Sequence, residues 1–111
     1  MRPIYVTTSD ASGGAKVSAP IPLDIMQVPF AIGIGCVVTG TVNYTVEHTY
    51  DNINDPAFNP ATATWFANSG ISAKTANADG NYAFPVRAMR LNQASGTGSV
   101  TMCVLQGVGG A

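Results

Sequence analysis

The chain has one histidine, His48, and two cysteines, Cys36 and Cys103. Any Ser–His or Cys–His nucleophilic apparatus must run through that imidazole. His48 shares a face with Val42, Tyr44 and Val46 in an alternating segment, which points to a structural or subunit-interface histidine. The cysteines sit inside apolar strand patterns without Cys-x-x-Cys spacing, so they read as small buried residues with free thiols. A disulfide between them would require adjacent strands. Asp51-Asn52-Ile53-Asn54-Asp55 fails as a calcium loop, because Ile53 stands where an oxygen ligand is needed. Asn77, Asp79 and Asn81 have the alternate spacing, but Tyr82 occupies the glycine position and no Glu follows, so a turn is expected. Gly33-Ile34-Gly35 lies within a strand pattern, and Gly13-Gly14-Ala15-Lys16-Val17-Ser18 lacks the glycine and hydroxyl positions of a phosphate-binding loop. The Asn43-Tyr44-Thr45 sequon falls mid-strand. Glu47 is the only Glu and sits among outward Thr residues, so no carboxylate pair forms for glycoside chemistry. With no acid, base and nucleophile set assembled, the expectation is a protein that is not an enzyme and takes no cofactor or metal.

The elements that carry these residues read as strands. Phe30, Ile32, Ile34, Cys36 and Val38 alternate with Ala31, Gly33, Gly35 and Val37. Val42, Tyr44, Val46, His48 and Tyr50 alternate with Thr41, Asn43, Thr45, Glu47 and Thr49. The reading is one β-hairpin, Phe30–Val38 and Thr41–Tyr50, turned at Thr39-Gly40. Pro3–Thr8 is a short strand and Ser9–Gly14 a loop. Ala19–Asp24 is extended, and Pro20, Pro22 and Pro29 place it on an edge or make it a strap. Asp51–Asn68 is irregular, with Thr62–Phe66 a short strand; Ser72–Thr75 is another. Asn77–Asn81 is a turn, Tyr82–Phe84 and Val86–Leu91 a strand, Asn92–Gly98 a connection, Ser99–Gln106 the last strand and Gly107–Ala111 a tail. No segment has helical periodicity and there is no internal repeat. The expected fold is all-β, an antiparallel sandwich or jelly roll of about seven or eight short strands. Residues 1–111 form a single β domain, with 1–24 partly an extended N-terminal strap.

Charged residues make up 10% of the 111, against about 25% in an average soluble domain. Thr, Ser, Asn, Ala and Gly take their place, and apolar residues stand at 46%. Such a surface is inexpensive to desolvate against another protein, as interface cores are. It also fits an ordinary β domain with Thr-rich outer faces. Arg2, Lys16, Lys74, Arg87 and Arg90 form no stripe, which disfavours nucleic acid as a direct partner. The longest apolar stretch, Val28 to Val38, is far short of the ~20 residues of a membrane-spanning helix, so no membrane partner is expected. Met1-Arg2-Pro3-Ile4-Tyr5 lacks the apolar region of a secretory signal, so synthesis and use in a cytosol, or release by lysis, is expected. Phe58, Trp65 and Phe66 have two readings: a core plug at one end of the sandwich, or an interface anchor.

Several of these segments together resemble the small structural proteins of tailed bacteriophage virions. The resemblance rests on Pro20-Ile21-Pro22-Leu23-Asp24, on Gly40 through Thr49, and on Ala76-Asn77-Ala78-Asp79-Gly80-Asn81-Tyr82. Arg87-Ala88-Met89-Arg90-Leu91-Asn92, Gly96-Thr97-Gly98 and the closing strand complete it, over about Pro20 to Gln106. The resemblance implies a jelly-roll or sandwich decoration (cement) protein on the outer capsid surface, made in the host cytoplasm. It would be a dimer or trimer bound to the major capsid protein. The alternative is a tail- or fibre-associated host-recognition or carbohydrate-binding β module. The residues expected to make contact are Pro20, Ile21, Pro22 and Leu23 of the strap, the aromatics Phe58, Trp65 and Phe66, and Asn77, Asp79 and Asn81.

Overall fold

Alternation in sequence becomes alternation in burial. Ile32, Ile34 and Cys36 are buried while Gly33 and Val37 are exposed, and Val42, Tyr44, Val46 and His48 are buried along the next alternating segment. The computed structural model describes residues 3–10, 12–23 and 31–106. Asp24 and Phe30, at the ends of two expected segments, and the Gly107–Ala111 tail lie outside the described residues. The described residues form β1 (Ile4–Ser9), β2 (Lys16–Val17), β3 (Ile21–Pro22), β4 (Ile32–Thr39), β5 (Asn43–Thr49), β6 (Phe66–Ala67), β7 (Ala78–Tyr82), β8 (Ala88–Ser95) and β9 (Ser99–Gln106). One sheet has the order β1-β9-β4-β7 and the other β2-β8-β5-β6, with β3 also on β8. All pairings are antiparallel, and the two inner faces enclose one core. The all-β sandwich expected from the alternation is the fold.

The expected hairpin is not. β4 pairs with β9 from Ile32↔Gln106 to Thr39↔Ser99, and β5 pairs with β8, so Thr39-Gly40-Thr41 carries the chain from one sheet to the other. Alternation states which side chains are buried; it does not state which strand takes the backbone hydrogen bonds. Here Ile34 and Cys36 face Tyr44 and Val46 across the core instead of lying beside them.

Three further expectations change for related reasons. Asn77–Asn81 is not a turn: Ala78–Tyr82 is strand β7, with Gly35↔Asp79 and Ile34↔Gly80 in register. Pairing to β4 overrides the turn-forming composition, and Gly80 is suited to it because a β-carbon there would come 3.0 Å from Ile71 Cδ1. Tyr82 and Leu91 do not share a strand, since β7 ends in one sheet and β8 begins in the other, with 83–87 crossing between them. The Asn92–Gly98 connection shrinks to Gly96-Thr97-Gly98, because Asn92 and Gln93 pair with Thr45 and Tyr44. Ser72–Thr75 contributes an isolated bridge between Lys74 and Tyr44, and Thr62–Phe66 yields only Phe66–Ala67. The N-terminal strap runs along the edge of β8, as its prolines suggested. Ser18 N–H donates to the Leu91 carbonyl and Leu23 N–H to the Arg87 carbonyl, both at about 3 Å.

Cys36 faces the core and burial pushes its thiol up to about 11. Cys103 lies next to it in sequence register, opposite Gly35, and points to the outer face of the same sheet. The two thiols are free and on opposite faces, which excludes the bridge between them.

The two sheet-to-sheet turns touch. Gly98 N–H donates to the Thr41 carbonyl at 2.9 Å. Gly96 has φ 102°, and a β-carbon there would overlap the Thr41 carbonyl and sit 2.6 Å from Val42 Cα. At Gly98 it would come 2.7 Å from Thr41 N. Gly96→Ala and Gly98→Ala should each lower the unfolding free energy by about 2–4 kcal/mol in urea denaturation. Thr97→Ala, exposed between them, should cost under about 0.5 kcal/mol.

Candidate functional site

At the end of the sandwich where β5 and β7 finish, five rings meet. His48 and Tyr82 lie beneath, 6% and 1% exposed, and Tyr50, Phe66 and Phe84 lie above them, each about half exposed. Strand geometry gathers them. His48 and Tyr50 are two residues apart on one face, as are Tyr82 and Phe84, and the β5–β6 register sets Phe66 beside His48. Phe66 stacks on His48 with centroids 5.8 Å apart and planes 25° apart, while Tyr50, Tyr82 and Phe84 present edges to the imidazole at 5.6, 4.9 and 5.8 Å. His48 Nδ1 and the Tyr82 hydroxyl are 2.8 Å apart and share a hydrogen bond. Burial holds the imidazole below its ordinary value and the Tyr82 hydroxyl above its own. At neutral pH the cluster is uncharged. It offers ring surfaces to a partner.

A second area is the outer face of the β1-β9-β4-β7 sheet. Tyr5 (68% exposed), Val37 and Leu105 project from it, and Gly33 and Gly35 leave it flat between them. A β-carbon at Gly35 would meet nothing within 4 Å. Cys103 lies beside Tyr5, and their hydrogen bond raises the phenol above its ordinary value.

The residues singled out in the sequence fall in separate places. Asp79 and Asn81 are exposed on β7 and Asn77 is exposed just before it, where its Oδ1 accepts from Val38 N–H at 2.7 Å. Ile21 and Leu23 point into the protein's own core, 5% and 8% exposed, so of the four strap residues expected to make contact only Pro22 is fully at the surface, with Pro20 half-buried. Trp65 lies on the outer side of the other sheet. Its indole N–H donates to the Pro60 carbonyl at 3.0 Å and the Arg90 guanidinium sits 4.0 Å from its ring. Phe58 is half-buried in the 50–65 connection, and none of Phe58, Trp65 and Phe66 belongs to the core. The core-plug reading of these aromatics therefore fails. Tyr50 and Phe84, which complete the ring cluster, are not among the residues singled out in the sequence, although the repeated aromatic-x-aromatic spacing at 48/50 and 82/84 was a usable signal.

No family model, curated protein or solved structure matches the chain.

Among the described residues no three His, Cys, Asp or Glu side chains gather as a metal site would require. A surface hollow at Asp51, Asp55, Phe58, Asn59 and Thr62 is lined by turns that use their own side chains. Asn52, Asp55 and Asn59 each accept the backbone N–H two residues on, at 2.9–3.0 Å.

His48 is the only histidine, so the pH dependence between about 5 and 7 isolates it. Its folded value lies below the ordinary 6.5, so the unfolded chain binds a proton at higher pH than the folded chain does. Stability should be full above about pH 7 and fall as pH drops through 6.5, levelling off only below the folded value. Urea midpoints across this range should show that slope in the natural chain. His48→Gln should flatten it.

Proposed function

We propose that this chain is a virion structural protein that decorates and cements a capsid shell, acting as a homo-oligomer on the major capsid protein. The observation that carries the reading is the balance of its surface. Tyr5, Val37, Tyr50, Phe66, Phe84 and Leu105 are exposed in two areas, while the described residues hold a single ion pair, Arg90 with Glu47. A thin plate, with extents 43 × 33 × 22 Å, that carries apolar and hydroxyl surface on more than one side suits a module gripping two neighbours at once. Its mechanism would be mechanical. Area buried across joints of an assembled lattice, and not on free subunits, stabilises the assembled state by mass action. The resemblance to tailed-phage structural proteins supports the same role.

The aromatic end favours one second reading, a tail or fibre module for host recognition. Half-exposed rings without charge are suited to stacking on the apolar faces of sugar rings. Copy number separates the two. Quantitative mass spectrometry of purified particles encoding this chain should find hundreds of copies, as a lattice component requires; a handful would move the protein to the tail, and absence would end both readings.

The contact should be apolar. Because Ile21 and Leu23 belong to the core, deleting the strap would test folding, and surface substitutions are the sound probe. Phe84→Ser combined with Leu105→Ser should reduce particle occupancy tenfold or more, and about 1 M salt should change it little. Particles left bare should rupture at lower temperature than decorated ones.

A further inference from the structure

A sandwich of this kind exposes four sheet edges, and three of them carry guards against pairing with another chain. The β2–β3 edge carries Lys16, Pro20 and Pro22. The β6 edge is two residues long. The β7 edge carries Asp79 and Gly80, and Asn68 Nδ2 donates to the Asn81 carbonyl there at 3.3 Å. The fourth edge, β1, has none of these. Ile4-Tyr5-Val6-Thr7-Thr8-Ser9 contains no charge, proline or glycine, and it pairs with β9 without a bulge over all six residues. Among the described residues only β9 pairs with it. Half of its backbone N–H and C=O groups therefore face outward along a straight strand of high β propensity.

We propose that the outer edge of β1 is a dimerisation strand, and that its occupant is β1 of a second copy, antiparallel about a twofold axis. Two observations select a second copy over a foreign strand. The segment is neutral along its length, so two identical strands meet without like charges opposite each other. The pairing is also self-complementary, each copy supplying the unpartnered edge the other lacks. Residues opposite each other must share a face, which leaves two centred registers, one about Val6 and one about Thr7. In the first, Tyr5 lies opposite Thr7 of the second copy; in the second, opposite Ser9. Either way the most exposed large hydrophobic side chain of the described residues is covered by a hydroxyl side chain, extending the row in which Thr7 and Thr101 hydroxyls bond at 2.9 Å. The result is one eight-stranded sheet through both copies. Its outer face joins the two Tyr5, Val37 and Leu105 areas into one surface.

The inference deepens the homo-oligomer part of the cement reading, and its test needs no capsid, so the two can fail separately. Sedimentation equilibrium of the purified chain over about 1–100 µM should fit a monomer–dimer equilibrium. The double variant Tyr5→Lys, Thr7→Lys places like charges opposite in both registers, and both side chains project to solvent, so folding is retained. It should weaken the dimer tenfold or more with the thermal melt of the monomer unchanged. Val37→Lys, on the same face but an inner strand, should leave the dimer intact. Hydrogen exchange should show β1 amides whose protection rises with protein concentration in the natural chain and not in the double variant. A monomer throughout, a trimer, a dimer indifferent to the two lysines, or equal loss with Val37→Lys would each overturn the proposal.

Discussion

The contact between the Thr39–Thr41 and Gly96–Gly98 turns is the constraint on which the rest depends. Each turn takes the chain from one sheet to the other, and they pass back to back at one end of the sandwich, close enough that the Gly98 N–H reaches the Thr41 carbonyl. The backbones can approach this far only because three of the residues involved, Gly40, Gly96 and Gly98, lack side chains. The approach sets the spacing and relative register of β4, β5, β8 and β9, the four longest strands, at their common end. From there Val42, Tyr44 and Val46 of one sheet and Ile34, Cys36, Val100 and Met102 of the other close onto each other. An architecture whose chain changes sheet at most connections cannot form one sheet first and add the second. The core and the pairings form together, which raises the sequence separation of the contacts and makes slow folding the expectation.

The flanks of the sandwich are closed by buried amides instead of apolar side chains. On one flank Gln93 accepts from the Thr8 hydroxyl at 2.9 Å and donates to the Gly96 and Gly98 carbonyls, so a single side chain ties β1, β8 and the turn together. On the other flank Asn68 takes the Val46 carbonyl with its backbone, the Gly70 N–H with its Oδ1 and the Asn81 carbonyl with its Nδ2. That links β5 to β7 across the sheets. No buried side-chain polar atom of the described residues is left without a partner. Satisfied amides specify one arrangement where methyl groups would tolerate several, since any slip leaves a buried polar group unpaired.

What could be read in the sequence was the face of each residue, because period-two alternation is a local property of a pleated chain. Ile32, Ile34, Cys36, Tyr44, Val46 and His48 are buried as that pattern demands. Partnership between strands could not be read, since Thr39-Gly40 serves equally as a hairpin turn or as a crossing between sheets. The choice is made by β8 and β9, fifty residues later in the chain, which take the two pairings. The same limit explains Asn77–Asn81, whose turn-like composition yields to an available edge on β4, and Asn92-Gln93, whose amides looked like a loop and are in fact strand and buried seam. At the candidate site, His48 was legible as a structural or subunit-interface histidine on the buried face of its strand. The cluster over it was not, because Phe66 arrives from a two-residue strand whose register no local pattern announces.

The scarcity of charge acquires meaning once the acidic groups are followed individually. Five of the six acidic residues lie in the described segments. Asp10 accepts from Ser12, Asp51 from the Thr64 N–H, Asp55 from the Ala57 N–H, and Glu47 holds Arg90 over Trp65 while accepting from Asn92. Four of those five carboxylates are thus consumed in holding turns and one cation–π contact, and only Asp79 is left to face outward without such work. Acidic charge among the described residues thus serves mostly local conformation, while Lys16, Lys74 and Arg87 stand exposed and apart. Most of what remains for meeting other molecules is hydroxyl, amide and ring surface, which loses little on desolvation and depends little on ionic strength. A partner that recognised this chain would meet that surface more than a strong charge field.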